Sequence, residues 1–266
     1  MPYPSSLTLD PPGSILVVGT TPLGLEAGLY GRFLGYDVQV IAGVDGWLPR
    51  PWCENALAQR IGPRFREDWF DRNWLEGREL RAAWGDPMPM MPDRCLSPLA
   101  LSAIEAQSGQ SLPKPLPITM QQWIEDALEP LTRTDLLRGR VDSEAMASRI
   151  WLIPVDVDQP DDDEPDDESA SSIPPDFGIE IRRASQPEPS QETFECVIVA
   201  DVAAASLPRP QDWGVGSDPP KYWFEIETTM HGEAEDMLRD GYRQITRIFA
   251  DLAGRDHLDL YRPRRT

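Results

Sequence analysis

The stretch that most constrains the fold is residues 14–43, SILVVGTTPLGLEAGLYGRFLGYDVQVIAG. Near its start, residues 15–18 form an uncharged run of leucine and β-branched side chains, which is typical of a central parallel strand covered on both faces. Gly19 ends that run. Thr21 then follows as a suitable N-cap for a helix, with Pro22 at the first helical position, where a missing N–H has no cost. The pattern therefore predicts a buried strand, a tight turn and a capped helix.

The second half of the stretch predicts the end of that helix and another strand. The helical pattern continues to Leu34, and Gly35 is suited to close it. Residues 36–41 then alternate between polar and apolar, as a strand does. A strand, a helix and a strand in this order form the βαβ unit of a parallel sheet. The sequence therefore predicts an α/β fold.

The glycines of the predicted helix recur on one face. Gly24, Gly28, Gly31 and Gly35 follow one another at intervals of four, three and four residues. An interior glycine costs about 1 kcal/mol relative to alanine in a helix, so a face built of glycines indicates close approach to something. One interpretation is tight packing of the helix on its sheet. A second adds a pyrophosphate at the helix N-terminus, where free N–H groups and the helix dipole favour anions.

Residues 18–27, VGTTPLGLEA, resemble the FAD-binding N-terminus of flavoproteins with two dinucleotide-binding domains, the disulfide-reductase and flavin-monooxygenase class. Gly19 and Gly24 match the first and third glycines of the GxGxxG fingerprint, and Thr21 stands at the second. The resemblance implies a Rossmann-like parallel sheet, FAD or NAD(P) as the cofactor, and an oxidoreductase. The losses within the motif also allow a degenerate, non-catalytic binding or scaffold protein with the same fold.

Two acidic residues are candidates for the ribose or the flavin. Residues 42–43, Ala-Gly, stand where the family has an acid at the end of the second strand, and Asp45 could substitute from the loop. Asp201 follows the apolar run at residues 193–200, at the end of a strand where α/β sheets bind ligands. It could touch the cofactor or only cap the next turn. The candidate cofactor-binding residues are Gly19, Thr21, Pro22, Gly24, Asp45 and Asp201.

The remaining chain is predicted as one domain over residues 14–266, preceded by a flexible leader at 1–13. A Trp-rich helical insertion is expected at 44–117, and its tryptophans either anchor a core or stack on a cofactor ring. Nine of the thirteen residues at 156–168 are acidic, so the loop at 156–176 is predicted to be disordered and solvated rather than to bind calcium.

Further strands and one helix follow from the hydrophobic pattern. The strands at 149–155 and 177–183 flank the acidic loop and predict a β-hairpin or meander arm. The run at 193–200 predicts one more buried parallel strand, and 222–227 predicts another. Residues 233–252 form the clearest amphipathic helix, with an apolar stripe at helical spacing.

Composition narrows the possible partners and the compartment. The net charge is −20, which argues against nucleic acid or an anionic membrane as a partner. No signal peptide or apolar run of membrane-spanning length is visible, and the three cysteines form no CxxC motif, so a cytoplasmic protein is expected. Cys196 is expected in the core, whereas the surroundings of Cys53 and Cys95 allow exposure. The sequence identifies no protein partner.

No catalytic motif is present. The two histidines exclude a histidine-rich metal site, and no metal site is predicted. His231, at the predicted start of the last helix, is the candidate acid–base residue, although a single histidine is more often structural. His257 is expected to be structural. The substrate cannot be predicted from these residues.

Overall fold

The computed structural model describes the chain in segments. These are residues 13–42, 94–108, 119, 122–153, 174–183, 186, 188–200, 210, 213, 218–226 and 234–262. The leader up to residue 12, residues 44–93 and 109–117 of the insertion, and most of the acidic loop lie outside the described residues. So do Asp45, Asp201 and His231, and the division into a single domain stays a prediction.

The predicted βαβ unit is confirmed. Strand β1 is Ser14–Val18, helix α1 is Pro22–Leu34 and strand β2 is Asp37–Ala42. β1 and β2 pair in parallel, in register from Ser14↔Asp37 to Val18↔Ile41. The local sequence pattern was sufficient to predict this unit, because the two strands and the helix are neighbours both in sequence and in space.

The remaining described elements complete a mixed α/β structure, and no described helix is long and apolar enough to cross a membrane. In chain order they are α2 (Pro98–Ser108), a π-helix (Trp123–Leu128) that continues into α3 (Glu129–Thr132), β3 (Val141–Ile153), β4 (Asp176–Arg183), β5 (Ser190–Phe194), β6 (Cys196–Val199), β7 (Trp223–Glu225) and α4 (Ala234–Leu252).

The seven described strands form one sheet in the order β5-β4-β3-β2-β1-β6-β7. Five neighbouring strands, β3, β2, β1, β6 and β7, are parallel to one another. β4 and β5 extend the sheet beyond β3 as an antiparallel meander. This arrangement confirms the Rossmann-like sheet and the meander arm. It also places β2 and β6 on opposite sides of β1, so the strand order reverses there.

Three predicted boundaries were wrong. The run at 193–200 is two strands, because the chain turns at Glu195, whose carboxylate accepts the Gly13 N–H and whose N–H donates to Ser14 Oγ. β3 begins at Val141, eight residues before the predicted strand, since its polar first half pairs with β2 and with the end of β4. The acidic loop ends before Asp176, which pairs with Ile153 across the hairpin.

The sheet has a different cover on each face. Ile15 and Val17 point into the core formed with the helices, and Leu16 and Val18 point into a second core formed with β3, β4 and Trp223. The meander therefore curls back over the face that the helices leave open. The apolar stripe of α4 lies in the first core, which confirms the predicted amphipathic helix.

The glycine face of α1 packs on the sheet. A Cβ at Gly28 would lie 2.6 Å from Val40 Cγ2, and one at Gly31 would lie 2.8 Å from Val38 Cγ2. Gly35 is not part of this contact; it is the C-cap, with φ 97°. The packing interpretation of this face is thus confirmed for its interior glycines.

Cys196 is fully buried as expected, and burial raises the pKa of its thiol well above the usual range. Cys95, whose surroundings in the sequence allow exposure, is buried instead: it packs in the helical core, and its carbonyl accepts the Trp123 indole N–H at 3.0 Å. Cys53 lies outside the described residues.

Candidate functional site

The turn from β1 to α1, residues 19–24, lies at the carboxyl end of the parallel strands. It stands where the strand order reverses, since β2 is on one side of β1 and β6 on the other. In open α/β sheets the crevice at such a switch point is where ligands bind. The candidate residues that the sequence predicted for the turn are therefore brought to one place.

Two glycines of the turn have the geometry that the fingerprint requires. Gly19 has φ 125°, a conformation that disfavours other residues, and its N–H donates to the Ile41 carbonyl at 2.8 Å. A Cβ at Gly24 would lie 1.8 Å from the Gly19 carbonyl oxygen. The first turn of α1 thus rests directly on the backbone that leaves β1.

Thr21 fills the position of the second glycine with a hydrogen-bonded side chain. Its Oγ1 accepts the Gly24 N–H at 3.1 Å, as the predicted N-cap would. The same hydroxyl donates to the Ala200 carbonyl at 2.7 Å, and both bonds are buried. The second bond joins the turn to the residue that follows β6, so Thr21 links the two sides of the switch point.

This arrangement reduces what the helix N-terminus can offer to an anion. Pro22 has no N–H, and the Gly24 N–H is used by Thr21. A phosphate at this end of α1 would need those backbone donors. The turn keeps the close approach of the fingerprint but has fewer donors than one with glycine at position 21.

Along the chain, the two acidic candidates follow shortly after the ends of β6 and β2, which border this crevice. Asp201 directly follows Ala200, whose N–H donates to the Val18 carbonyl at 2.8 Å, and Asp45 follows Ala42 at the end of β2 by three residues. The positions of Asp45, Asp201 and His231 are outside the described residues. Among the residues that the structure does describe, no group of histidine, cysteine, aspartate or glutamate could hold a metal ion.

A buried carboxyl group was missed by the sequence analysis. Glu26, one turn after the fingerprint, is 2% exposed, and its Oε1 accepts the Ser97 hydroxyl at 2.7 Å. Burial raises the pKa of Glu26 to about 7, although the hydroxyls of Ser97 and Tyr261 oppose the shift. A signal for it was present, because Glu26 is the one charged residue among the apolar and glycine residues at 22–31.

The phenol groups near Glu26 are also shielded from water. Burial raises the pKa of Tyr242 and Tyr261 well above the usual range, and the nearby Glu26 adds to both shifts. The Tyr261 hydroxyl is buried and has no hydrogen bond of good geometry in the described part of the chain. Glu26 and its neighbours therefore form a polar cluster on the side of α1 that faces the other helices.

No protein-family model matches the chain, and a comparison with curated protein sequences finds no significant match. Solved structures that match the chain include an S-allyl-L-cysteine S-oxygenase from Allium sativum, at 11% identity and TM-score 0.33, covering 70% of this chain and 36% of that one. A p-nitrophenol 4-monooxygenase from Pseudomonas putida matches at 15% identity and TM-score 0.31, covering 74% and 42%.

A cadaverine monooxygenase from Erwinia amylovora, solved with FAD bound, matches at 13% identity and TM-score 0.29, covering 96% of this chain and 54% of that one. The chain thus spans between about a third and just over half of the length of these three structures.

Proposed function

We propose that the chain binds a dinucleotide, FAD or NAD(P), at the switch point between β1 and β6, as the cofactor-binding unit of an oxidoreductase. The observation that supports this proposal is the contact of Gly24 with the Gly19 carbonyl at the carboxyl end of β1. This close approach lets a pyrophosphate reach the start of the helix in dinucleotide-binding folds. Such a cofactor supplies hydride or electron transfer, and the protein positions it.

Each candidate residue has a defined role in this proposal. Gly19 and Gly24 hold the backbone close, and Thr21 and Pro22 border the pyrophosphate. Asp45 or Asp201 accepts hydrogen bonds from ribose hydroxyls, as an acid does in this class of site. His231 is the candidate for proton transfer. The substrate is not defined by these residues.

A second candidate function is that of a non-catalytic binding or scaffold protein with the same fold. The observation that favours it is the double hydrogen bond of the Thr21 hydroxyl, which fills the second-glycine position and uses the Gly24 N–H. In that case the turn stabilises the switch point itself instead of holding a phosphate.

The visible spectrum of the purified protein and calorimetric titrations with FAD and NADPH distinguish the two functions. We expect a flavin spectrum or saturable binding, weakened at least tenfold by Asn at whichever of Asp45 and Asp201 holds the ribose. The control is Asp37→Asn, since Asp37 lies at the opposite end of β2 and pairs with Arg140. A colourless protein that binds neither compound would favour the scaffold function.

Substitutions at Thr21 distinguish the steric effect of its side chain on dinucleotide binding from the effect of its hydrogen bonds on stability. Thr21→Gly removes the side chain from the pyrophosphate path and is expected to tighten dinucleotide binding several-fold. From the N-cap role alone, which is all that the sequence indicates, Thr21→Gly would lose almost no stability. The bond to Ala200 raises the expected loss to about 1–3 kcal/mol of unfolding free energy, because two buried hydrogen bonds disappear.

The matched control is Thr21→Ser, which keeps the hydroxyl and removes only the methyl group. It should retain nearly all of the stability and gain less affinity than Thr21→Gly. Urea denaturation and calorimetry of the three proteins measure both quantities. Equal stability of Thr21→Gly and the parent protein would contradict the structural role of the Ala200 bond.

A further inference from the structure

The polar cluster at Glu26 joins three separate parts of the chain. Glu26 belongs to α1, Ser97 immediately precedes α2, and Tyr261 lies after α4. The Ser97 hydroxyl donates to the Glu26 carboxyl at 2.7 Å. The buried Tyr261 hydroxyl lies beside the same carboxyl and makes no hydrogen bond of good geometry within the described part of the chain. One carboxyl group is therefore covered by two elements that are distant in sequence.

Residues 258–262, which we call the cover segment, contain no helix or strand and pack on the helical core through Leu258, Leu260 and Tyr261. The Tyr261 ring lies 5.3 Å from that of Tyr30 and 5.2 Å from that of Tyr242, measured between centroids. The Leu260 N–H donates to the Tyr30 hydroxyl at 3.1 Å. The cover segment is only partly buried, so its removal from α1 would expose little backbone that is not already near water.

Among the residues that the structure describes, no positively charged side chain faces Glu26 to compensate its ionised form. The titratable groups that face it or its covering rings are Tyr30 on α1, Cys95 before α2, Tyr242 on α4, and Asp259 and Tyr261 in the cover segment. A buried carboxylate with hydroxyl donors alone is costly, because water is lost and no cation replaces it. Hydration of the ionised Glu26 carboxylate, after one of its covering elements moves away, is then the least costly way to stabilise it.

We propose that Glu26 is a proton-controlled latch for the cover segment. With the carboxyl neutral, residues 258–262 stay packed on α1 and α4. With the carboxyl ionised, the segment opens and water hydrates the carboxylate.

Two elements cover Glu26: the cover segment, and Ser97 with the start of α2. The cover segment opens first, because Ser97 and α2 are held more firmly. The Ser97 hydroxyl also accepts the Ala100 N–H at 2.9 Å, as the N-cap of α2. α2 in turn buries Leu99, Ala100 and Ile104 in the helical core. Removing α2 would expose a hydrophobic helix face, whereas the side chains that the cover segment packs on the core, Leu258, Leu260 and Tyr261, are only partly buried.

The direction of the pH dependence follows from the raised pKa. The pKa of Glu26 is about 7 when buried and near 4.5 in water, so the closed form holds a proton that the open form releases. Opening is therefore favoured by about five- to sevenfold per pH unit as the pH rises from about 5 to about 7, and levels off above. The latch is closed in acid and loosened at neutral pH.

Hydrogen exchange of the Leu260 amide tests the latch in the full chain. After correction for intrinsic rates, protection of this amide should fall roughly fortyfold between pH 5 and pH 7 and level off above pH 7. In Glu26→Gln, which is neutral at every pH, the same protection should not change. A flat profile in the parent protein, or an unchanged slope in Glu26→Gln, would overturn the proposal.

A second variant and a second amide keep the test decisive. Tyr261→Phe removes a hydroxyl that lowers the pKa of Glu26, so its loss of protection should extend to higher pH. The Val17 amide in β1 reports global unfolding. Low urea concentrations should accelerate exchange at Val17 and leave Leu260 unchanged, since the opening is local. Parallel responses of both amides would refute a local latch.

Discussion

Replacing Gly24 with alanine is expected to lower the unfolding free energy by at least about 3 kcal/mol, the upper part of the range for overpacked sites. The new Cβ would lie 1.8 Å from the Gly19 carbonyl oxygen and 2.9 Å from the Gly19 carbonyl carbon. Both are backbone atoms of the β1–α1 turn, which cannot rotate away as a side chain can. Helix α1 would have to move away from the turn. The higher helix propensity of alanine offsets only about 1 kcal/mol of this cost.

The matched control is Gly241→Ala in α4. Its Cβ would meet the Leu23 side chain, with the nearest atom, Cδ2, at 2.4 Å. Leu23 can adjust its rotamer, and the gain in helix propensity offsets part of the remaining cost, so the loss should be clearly smaller. Urea denaturation of both variants compares them directly. Equal losses would mean that α1 does not rest on the turn as tightly as the structure indicates.

Replacing Glu26 with glutamine is expected to stabilise the protein above pH 7 by up to about 3 kcal/mol, since one pKa unit corresponds to about 1.36 kcal/mol. The pKa of Glu26 rises from near 4.5 to about 7 on folding. The folded form therefore favours the neutral carboxyl, and the destabilisation by ionisation grows from about pH 4.5 to pH 7. Glutamine stays neutral, keeps an acceptor for Ser97, and presents an amide to the Tyr261 hydroxyl.

The informative quantity is the difference in unfolding free energy between Glu26→Gln and the parent protein, because other titrating groups cancel in it. This difference should be small at pH 5, below about 1 kcal/mol, rise through pH 6 and level off near pH 8. Glu105→Gln, at an exposed position of α2, is the control and should show no such trend. A constant difference from pH 5 to pH 8 would exclude a raised pKa at Glu26.

The sequence by itself determined the parts of this protein whose partners are close in the chain. An uncharged run, Gly19, a Thr-Pro cap and Gly35 specify β1, α1 and β2, because capping, turn conformation and periodicity act over a few residues. The roles of Gly19 and Gly24 were also predicted, since the fingerprint is local. The amphipathic stripe of α4 was clear for the same reason.

Only the tertiary structure decided which distant groups meet. Thr21 binds the Ala200 carbonyl, 179 residues away, and Glu26 meets Ser97, 71 residues away. The chain turns at Glu195, where Gly13 and Ser14 bind it, and Cys95 is buried in the same core as Trp123, whose indole N–H donates to its carbonyl. No local pattern encodes such contacts, since a threonine, a glutamate or a cysteine has the same propensity whether its partner is water or a distant strand. Burial and pairing arise when the sheet and helices pack, and they join the Thr21 cap to Ala200 across the switch point and bury the Glu26 carboxyl.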